Sequence, residues 1–407
     1  FKLFDDWLEV RPAVDYRQAA RNNHYPNFQQ AMRNNPTRSP YDPDSETGYN
    51  VWINESLDYN VVADVMLEDF YGLDKWFKPE VNLKLNIKPI PGLNYQQVVG
   101  YENRQWELHQ YWPSTHRSEI DNSRKGHAHL KFSKTENLTS EGYFSYVKDF
   151  KGGHNLNATA GYSYFEVNGE NFGMDNYNFS VDGIKYWDIG QGSYLTDGKA
   201  GMSSGKSVTE RLFSFFARAN YSYQDKYMLS ASIRHEGSSK FAADNRWANF
   251  WSATAGWRIS NEEFMKDFDW LDDLKIRFGY GVTGNNDFSA TYMANMLGSD
   301  TNWMMPNGTW AYSYGKSQNV NPNLGWEIAY KQNYGIDVQL FRELSLTVDY
   351  FREKREDVLI SRGTVPEIQG VALGNLPKVN MGRIDNHGFE FEATYNKRID
   401  KDWSFTV

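Results

Sequence analysis

The sequence has 407 residues, no cysteine, a formal net charge of −9 and an aromatic content of 16%. The net negative charge argues against a nucleic-acid partner, because phosphate binding needs a clustered basic surface. The lack of cysteine excludes a disulfide scaffold, thiolate metal ligands and a thiol nucleophile. No run approaches the roughly 18 apolar residues of a membrane-spanning helix, whereas a transmembrane β-barrel remains compatible with the mean hydropathy of −0.72.

Residues 1–80 have the least regular pattern. We expect early barrel strands and an irregular extracellular loop there, with a short helix at Pro26–Asn34 ahead of Asn35 and Pro36. From Val81 onward, apolar residues persist at alternate positions. This period of two predicts strands through residues 81–407.

The hairpin within Ser207–Gly237 has the clearest alternation. One face of its two strands carries an uncharged set, which comprises Phe213, Phe215, Ala217, Ala219, Tyr221, Leu229, Ala231 and Ile233. About ten residues without charge match the length of a tilted strand that crosses a bilayer. Tyrosines flank the turn at Asp225, where an aromatic girdle would meet lipid headgroups. A strand of a soluble sandwich also alternates, so the hairpin alone leaves both interpretations open.

A short helix is predicted after the next strand. Ser260 and Glu263 have the spacing of a capping box, and Phe264, Phe268 and Leu271 have helical spacing. Strands resume at Ile276 and are separated by two stretches, 286–324 and 359–385, that we expect to be loops. In all, the pattern predicts about twelve strands.

Short and long connections alternate along the chain. The short ones centre on Gly92, Gly152, Asp225, Arg342 and Asp400, and the long ones are 113–127, 169–206, 238–247, 286–324 and 359–385. Short turns at one end and long loops at the other are typical of an outer-membrane barrel with periplasmic turns, whereas a sandwich would mix them. The predicted fold is therefore all-β, a transmembrane antiparallel β-barrel.

Ten short motifs occur along the chain in a fixed order: Asn35–Thr37, Phe250–Ala253, Trp257–Ser260, Glu263–Met265, Leu274–Arg277, Gly281–Asn285, Asn321–Glu327, Arg355–Ile360, Asn380–Ile384 and Asn386–Glu390. In this order they resemble the barrel of SusC/RagA-type TonB-linked outer-membrane transporters of Bacteroidota. The resemblance implies a 22-stranded barrel, of which this chain holds about half. We expect the plug domain and the TonB-contacting segment to be absent from this sequence, which has the character of a fragment at both ends.

The resemblance also implies a function. The chain would be the barrel portion of an importer of oligosaccharides or peptides, with a SusD-like surface lipoprotein, the TonB complex and outer-membrane lipid as partners, and with no cofactor. Alternatives are another large outer-membrane barrel (a siderophore receptor or a porin), a surface β-rich glycan-binding protein, or a barrel enzyme. No nucleophile–base arrangement can be assigned, so an enzyme is not expected.

Candidate chemical sites are few. His116, His127 and His129 lack partners at a metal-binding spacing. The segment Ala200–Ser207 imitates a phosphate-binding loop but precedes a strand instead of a helix. The candidates for contact with substrate or lid are aromatic residues in two long loops: Trp303, Trp310, Tyr312, Tyr314, Tyr186 and Trp187. Such rings can stack on sugars or peptide side chains.

Overall fold

The structure is a computed structural model that describes residues 1–22, 25–52, 58–288, 297–316, 321–360 and 378–407. The described part contains twelve long strands: β2 (Leu8–Arg21), β3 (Asp69–Asn86), β4 (Leu93–Trp112), β5 (His127–Phe150), β6 (His154–Tyr177), β8 (Glu210–Tyr223), β9 (Tyr227–Ser238), β10 (Trp247–Arg258), β11 (Leu271–Asn285), β14 (Glu327–Leu340), β15 (Leu344–Ile360) and β16 (Val379–Arg398). Five short strands accompany them: β1 (Lys2–Leu3), β7 (Gly201–Lys206), β12 (Leu297–Met304), β13 (Trp310–Lys316) and β17 (Ser404–Thr406). The helices are short: α1 (Phe28–Arg33), α2 (Val61–Leu67) and α3 (Arg117–Asp121).

The long strands form one antiparallel meander. Each long strand pairs with the long strands before and after it in sequence, from β2 through β16, and β1 and β17 lie at the two ends of the order. Short β7 pairs only with β6, and β12 pairs with β13 in a separate hairpin between β11 and β14. The number and order of the long strands agree with the predicted strands.

Register gives the sheet one apolar face. Ala158, Ala219, Ala231 and Ala253 lie directly opposite one another on β6, β8, β9 and β10. Residues two or four positions away in the same strands, such as Leu229 and Phe215, belong to this face because side chains alternate along a strand. We call it the apolar face, and the opposite side the polar face.

The two ends of the sheet differ in the length of their connections. At the turn end, β5–β6, β8–β9 and β14–β15 are each joined by three residues, and Gln224, Asp225, Phe341 and Arg342 there adopt positive φ. At the loop end lie 22–68, 113–126, 178–209, 239–246, 286–326 and 361–378. The predicted alternation of short and long connections is confirmed, although β6 extends to Tyr177 and β16 begins at Val379, which shortens two of the predicted loops.

Two local predictions need correction. The helix predicted after Ser260 is instead two 3-10 turns, Ile259–Asn261 and Glu263–Met265, and Leu271 already begins β11. The hydroxyl of Ser260 donates to Asp273 Oδ1 (2.8 Å), so the capping box does not form. The stretch 286–324 is not entirely loop, since it holds β12 and β13. Its residues 289–296 and 317–320, like 361–377, lie outside the described part.

One of the three helices was predicted from the sequence, whereas α2 and α3 were not. The helix predicted at Pro26–Asn34 is α1, and Asn27 caps it by accepting the backbone N–H of Gln30 (3.1 Å). Asn60 likewise caps α2. Among the described residues, no helix has the length and apolar character needed to cross a membrane.

Candidate functional site

Asp182 fixes the loop after β6 to the loop after β4. Its carboxylate accepts hydrogen bonds from Tyr111 Oη (2.7 Å), Ser114 Oγ (2.7 Å) and the Ser114 backbone N–H (3.0 Å). Burial, reinforced by the carboxylate of Asp182, raises the pKa of the Tyr111 phenol. Tyr111 therefore remains a neutral donor, and the two loops form one ordered surface beyond the strand ends.

Tyr186 and Trp187 are adjacent but differ in exposure. Tyr186 is 8% exposed and packs with Tyr111, Ala128 and Phe179 in an apolar cluster, with its ring edge-on to His109 (5.3 Å). Lys185 next to it forms an ion pair with Asp69, the first residue of β3. Trp187 is 77% exposed, and its ring lies 5.0 Å from that of Tyr186. Tyr186 thus anchors the loop, and Trp187 presents an aromatic face to the outside.

His127 lies between two aromatic rings at the loop end of β5. Trp112 stacks on one side (4.6 Å between centroids) and Tyr177 on the other (4.2 Å). His127 Nε2 and His129 Nδ1 both lie 2.8 Å from Asp175 Oδ1. Burial lowers the pKa of His127, and the hydrogen bond to Asp175 opposes this shift. These contacts pack His127 and His129 against β4 and β6. Among the described residues, no group of three or more side chains could hold a metal ion.

A second apolar cluster lies where the β12–β13 hairpin leaves the sheet. Phe241, Phe250, Phe288, Leu324 and Trp326 bury one another there. The indole N–H of Trp326 donates to the backbone carbonyl of Arg246 (3.0 Å), which ties this segment to the loop between β9 and β10. The end of β11 and the start of β14, which flank the hairpin, therefore lie against this cluster.

Four of the predicted contact residues lie on this hairpin. Trp303 is in β12 opposite Ala311, while Trp310, Tyr312 and Tyr314 occupy alternate positions of β13. The six candidates thus belong to two separate loop-end segments, one packed on β3 and β4 and one inserted between β11 and β14. Their contact with substrate or lid stays a prediction.

Sequence reasoning missed an ion-pair group on the polar face. Arg277 on β11 donates two hydrogen bonds to Asp337 on β14 (2.7 and 2.8 Å) and one to Asp349 on β15 (3.1 Å). Gly335 makes room for it, because a Cβ there would lie 2.5 Å from Asp349 Oδ1 and 2.6 Å from Arg277 Cζ. The partners are far apart in sequence, so only the register of three strands reveals the group.

The family described as TonB dependent receptor-like, beta-barrel, matches residues 6–407. A TonB-dependent receptor of Formosa agariphila is 31% identical over 319 residues, which are 75% of this chain and 28% of that protein. The TonB-dependent receptor SusC of Bacteroides thetaiotaomicron is 31% identical over 216 residues, or 52% of this chain and 21% of that protein. The chain therefore spans about a third or less of these relatives.

Solved structures agree in fold. The RagAB peptide importer in its closed-closed state superposes with a TM-score of 0.80 at 21% identity, covering 99% of this chain and 44% of that one. The siderophore receptor PiuA from Acinetobacter baumannii gives 0.52 at 11% identity, covering 99% and 53%. The predicted transmembrane barrel is thus confirmed, and its apolar face is the lipid-facing one. The chain belongs to the TonB dependent receptor-like β-barrel family, a family of outer-membrane receptors and transporters rather than enzymes.

Proposed function

We propose that this chain is the barrel portion of a TonB-dependent outer-membrane transporter that imports oligosaccharides or peptides captured with a surface lipoprotein. Membership of the TonB-dependent receptor family is the observation that carries the proposal. The RagAB structure, whose name describes a peptide importer, supports it with a TM-score of 0.80, compared with 0.52 for the siderophore receptor PiuA. Contact with the TonB complex would be made by segments outside residues 1–407.

The loop end has the features that such a transporter needs to receive a substrate. The Asp182 anchor and the Trp326 cluster give the loops defined positions, which lowers the entropy cost of binding. Trp187 is exposed beside an anchored Tyr186, and Trp303, Trp310, Tyr312 and Tyr314 form part of the other loop-end segment. We assign Trp187, Trp303, Trp310, Tyr312 and Tyr314 to contact with substrate or with the lipoprotein lid, and Tyr186 to holding Trp187 in place. Aromatic faces suit both sugar rings and peptide side chains.

Uptake by a full-length transporter that contains this chain tests the proposal. Cells lacking the transporter are expected to lose import of one substrate class, labelled oligosaccharides or labelled peptides, and to regain it with the wild-type gene. Removal of TonB should abolish the same import, because passive diffusion does not need it. Import that continues without TonB would favour a porin, and import of ferric chelates alone would favour a siderophore receptor.

The aromatic residues are tested by a combined Trp303→Ala, Trp310→Ala and Tyr312→Ala variant, and separately by Trp187→Ala. We expect weaker uptake or weaker co-purification of the lipoprotein at normal surface levels. Trp251→Ala on the apolar face is the matched control, because it removes an exposed indole away from the loops. Wild-type uptake together with wild-type lipoprotein binding would rule these loop residues out of both roles.

A further inference from the structure

The apolar face of β14, β15 and β16 changes character at one row of residues. Tyr334, Tyr350 and Phe389 lie directly opposite one another, with ring centroids 6.2 and 5.0 Å apart. Two residues nearer the loop end, the next row on the same face is Gln332, Arg352 and His387. Aromatic side chains thus give way to polar ones at the same row on three neighbouring strands, as expected where a bilayer meets water.

The height of Arg352 agrees with this boundary. It lies about nine residues beyond the end of the turn at Glu343, and with a rise of about 3.3 Å per residue and a tilt of about 40° this is about 23 Å along the barrel axis. The apolar band of an outer-membrane barrel is about 25 Å tall. This height places Arg352 near the loop-end edge of the apolar band, next to the lipid headgroups.

Arg352 is exposed and has no hydrogen-bond or ion-pair partner among the described residues. Four other basic side chains near the loop end of the same face are neutralised: Lys75 by Glu107, Lys134 by Glu136, Arg211 by Glu166, and Arg383 by Asp385. Lys354, two residues further along β15, pairs with Glu356. Arg352 is thus a cation without a counter-charge among the described residues, unlike these five neighbours on its face.

A recess of about 340 Å³ surrounds this cation on the lipid-facing side. Its lining consists of Tyr280, Tyr330, Gln332, Arg352, Lys354 and Glu356. Hydroxyl and amide groups supply neutral donors beside the guanidinium, and the Lys354–Glu356 ion pair, which has no net charge, completes the lining. On the turn side of the recess, the exposed Ile336 and Val348 continue the apolar face. A polar recess next to an exposed apolar surface fits a ligand that has a polar headgroup and an apolar chain.

We propose that this recess binds the phosphate headgroup of an outer-leaflet lipid, with its acyl chains lying along Ile336 and Val348. A guanidinium can hold two phosphate oxygens at once, and charge-assisted hydrogen bonds of this kind are about twice as strong as neutral ones. The lipid supplies the negative charge that Arg352 lacks within the protein. The site is separate from the transport path, because it lies on the outside of the barrel wall.

Native mass spectrometry of a purified, delipidated full-length transporter tests the proposal. Dioleoylphosphatidic acid is the probe, and dioleoylglycerol and glycerol 3-phosphate carry its two halves separately. We expect phosphatidic acid to bind at least about tenfold more tightly than either half, since both phosphate and chains are recognised. Equal binding of dioleoylglycerol, or equal binding of glycerol 3-phosphate, would overturn the proposal.

Variants locate the site. Arg352→Gln should weaken phosphatidic acid binding about tenfold, and Arg352→Lys, which keeps the charge but not the bidentate geometry, should weaken it less. Lys331→Gln is the matched control, because Lys331 is a basic residue of neighbouring β14 on the polar face, paired with Glu353 at 3.8 Å. If Arg352→Gln folds poorly, the affinity of the Arg352→Lys variant for phosphatidic acid tests the site instead. Wild-type affinity in a folded Arg352→Gln variant, or in Arg352→Lys when only that one folds, would contradict the assignment.

Discussion

The lipid-facing side of β8–β10 and the inward side of β11, β14 and β15 show the same strand geometry in two different solvents. On the lipid side, Ala219, Ala231 and Ala253 form an uncharged row. On the inward side, Arg277 joins two aspartates across three strands. Hydrocarbon cannot solvate a charge, so the middle of the first face carries none, and the charged Arg211 on β8 lies near the loop end. The inward face can retain them because each is paired or reaches water.

A charge introduced on the lipid-facing side should produce the largest loss of stability. Ala217→Arg on β8 should destabilise the folded barrel by about 2–4 kcal/mol, because an arginine near the bilayer midplane must be desolvated. Chemical denaturation of the full-length protein folded into bilayers measures the loss.

Thr254→Arg is the control for that variant. Thr254 is exposed on the polar face of β10, opposite Ser230 of β9, so its replacement should change stability by less than about 1 kcal/mol. Equal losses for the two variants would mean that the two faces do not differ in solvent.

Removing the cation of the inward group should have the next largest effect. Arg277→Met leaves Asp337 and Asp349 close together without a counter-charge. Because the pair is partly exposed, we expect a loss of about 1–3 kcal/mol, below the roughly 3–5 kcal/mol of a fully buried pair. The same denaturation assay measures it.

Two further variants separate pairing from packing. Lys331→Met removes a half-exposed pair and should cost less than about 1 kcal/mol. Adding Asp337→Asn and Asp349→Asn to Arg277→Met should recover part of the loss, since no unpaired carboxylate then remains. A triple variant no more stable than Arg277→Met would refute the electrostatic explanation.

The sequence allowed the strands to be predicted because alternation is a local signal. Twelve strand segments, the short turns and the lipid-facing set around Ala217 all follow from residues within a few positions of one another. The helix predicted at Ser260 failed because Phe264 and Phe268, despite their helical spacing, lie in a segment whose ends are fixed by β10 and β11. Tertiary constraint outweighed a weak local preference there.

The candidate site was harder to predict because it depends on distant contacts. The sequence predicted that Tyr186 and Trp187 would both contact substrate or lid. In the structure, Tyr186 is buried and Trp187 is exposed. Only the approach of Asp69 and His109, from β3 and β4, separates them. The Arg277 group likewise depends on register, and Arg352 becomes distinctive only when the partners of the other cations on its face are known.

The smallest expected effect concerns the turn end, where the two faces meet water. Glu262 accepts hydrogen bonds from Tyr227 (2.6 Å), Lys226 (3.0 Å) and Trp257 (3.1 Å). The Tyr227 hydroxyl, followed by Lys226 and Trp257, lowers the pKa of Glu262 from 4.5 to about 2. Since the folded state holds the ionised form, this stabilisation is fully present above pH 4.5 and is lost as the pH falls toward 2.

Glu262→Gln should therefore flatten the decline of stability between pH 4.5 and 2 while leaving its slope above pH 5 unchanged. Denaturation midpoints measured across this range test the expectation. Glu263→Gln is the matched control: Lys266 lowers the pKa of Glu263 as well, but both side chains of that pair are mostly exposed, so solvent screens their interaction. Identical acid profiles for wild type and Glu262→Gln would mean that the three donors do not hold the carboxylate, and that the turn between β10 and β11 is fixed by packing alone.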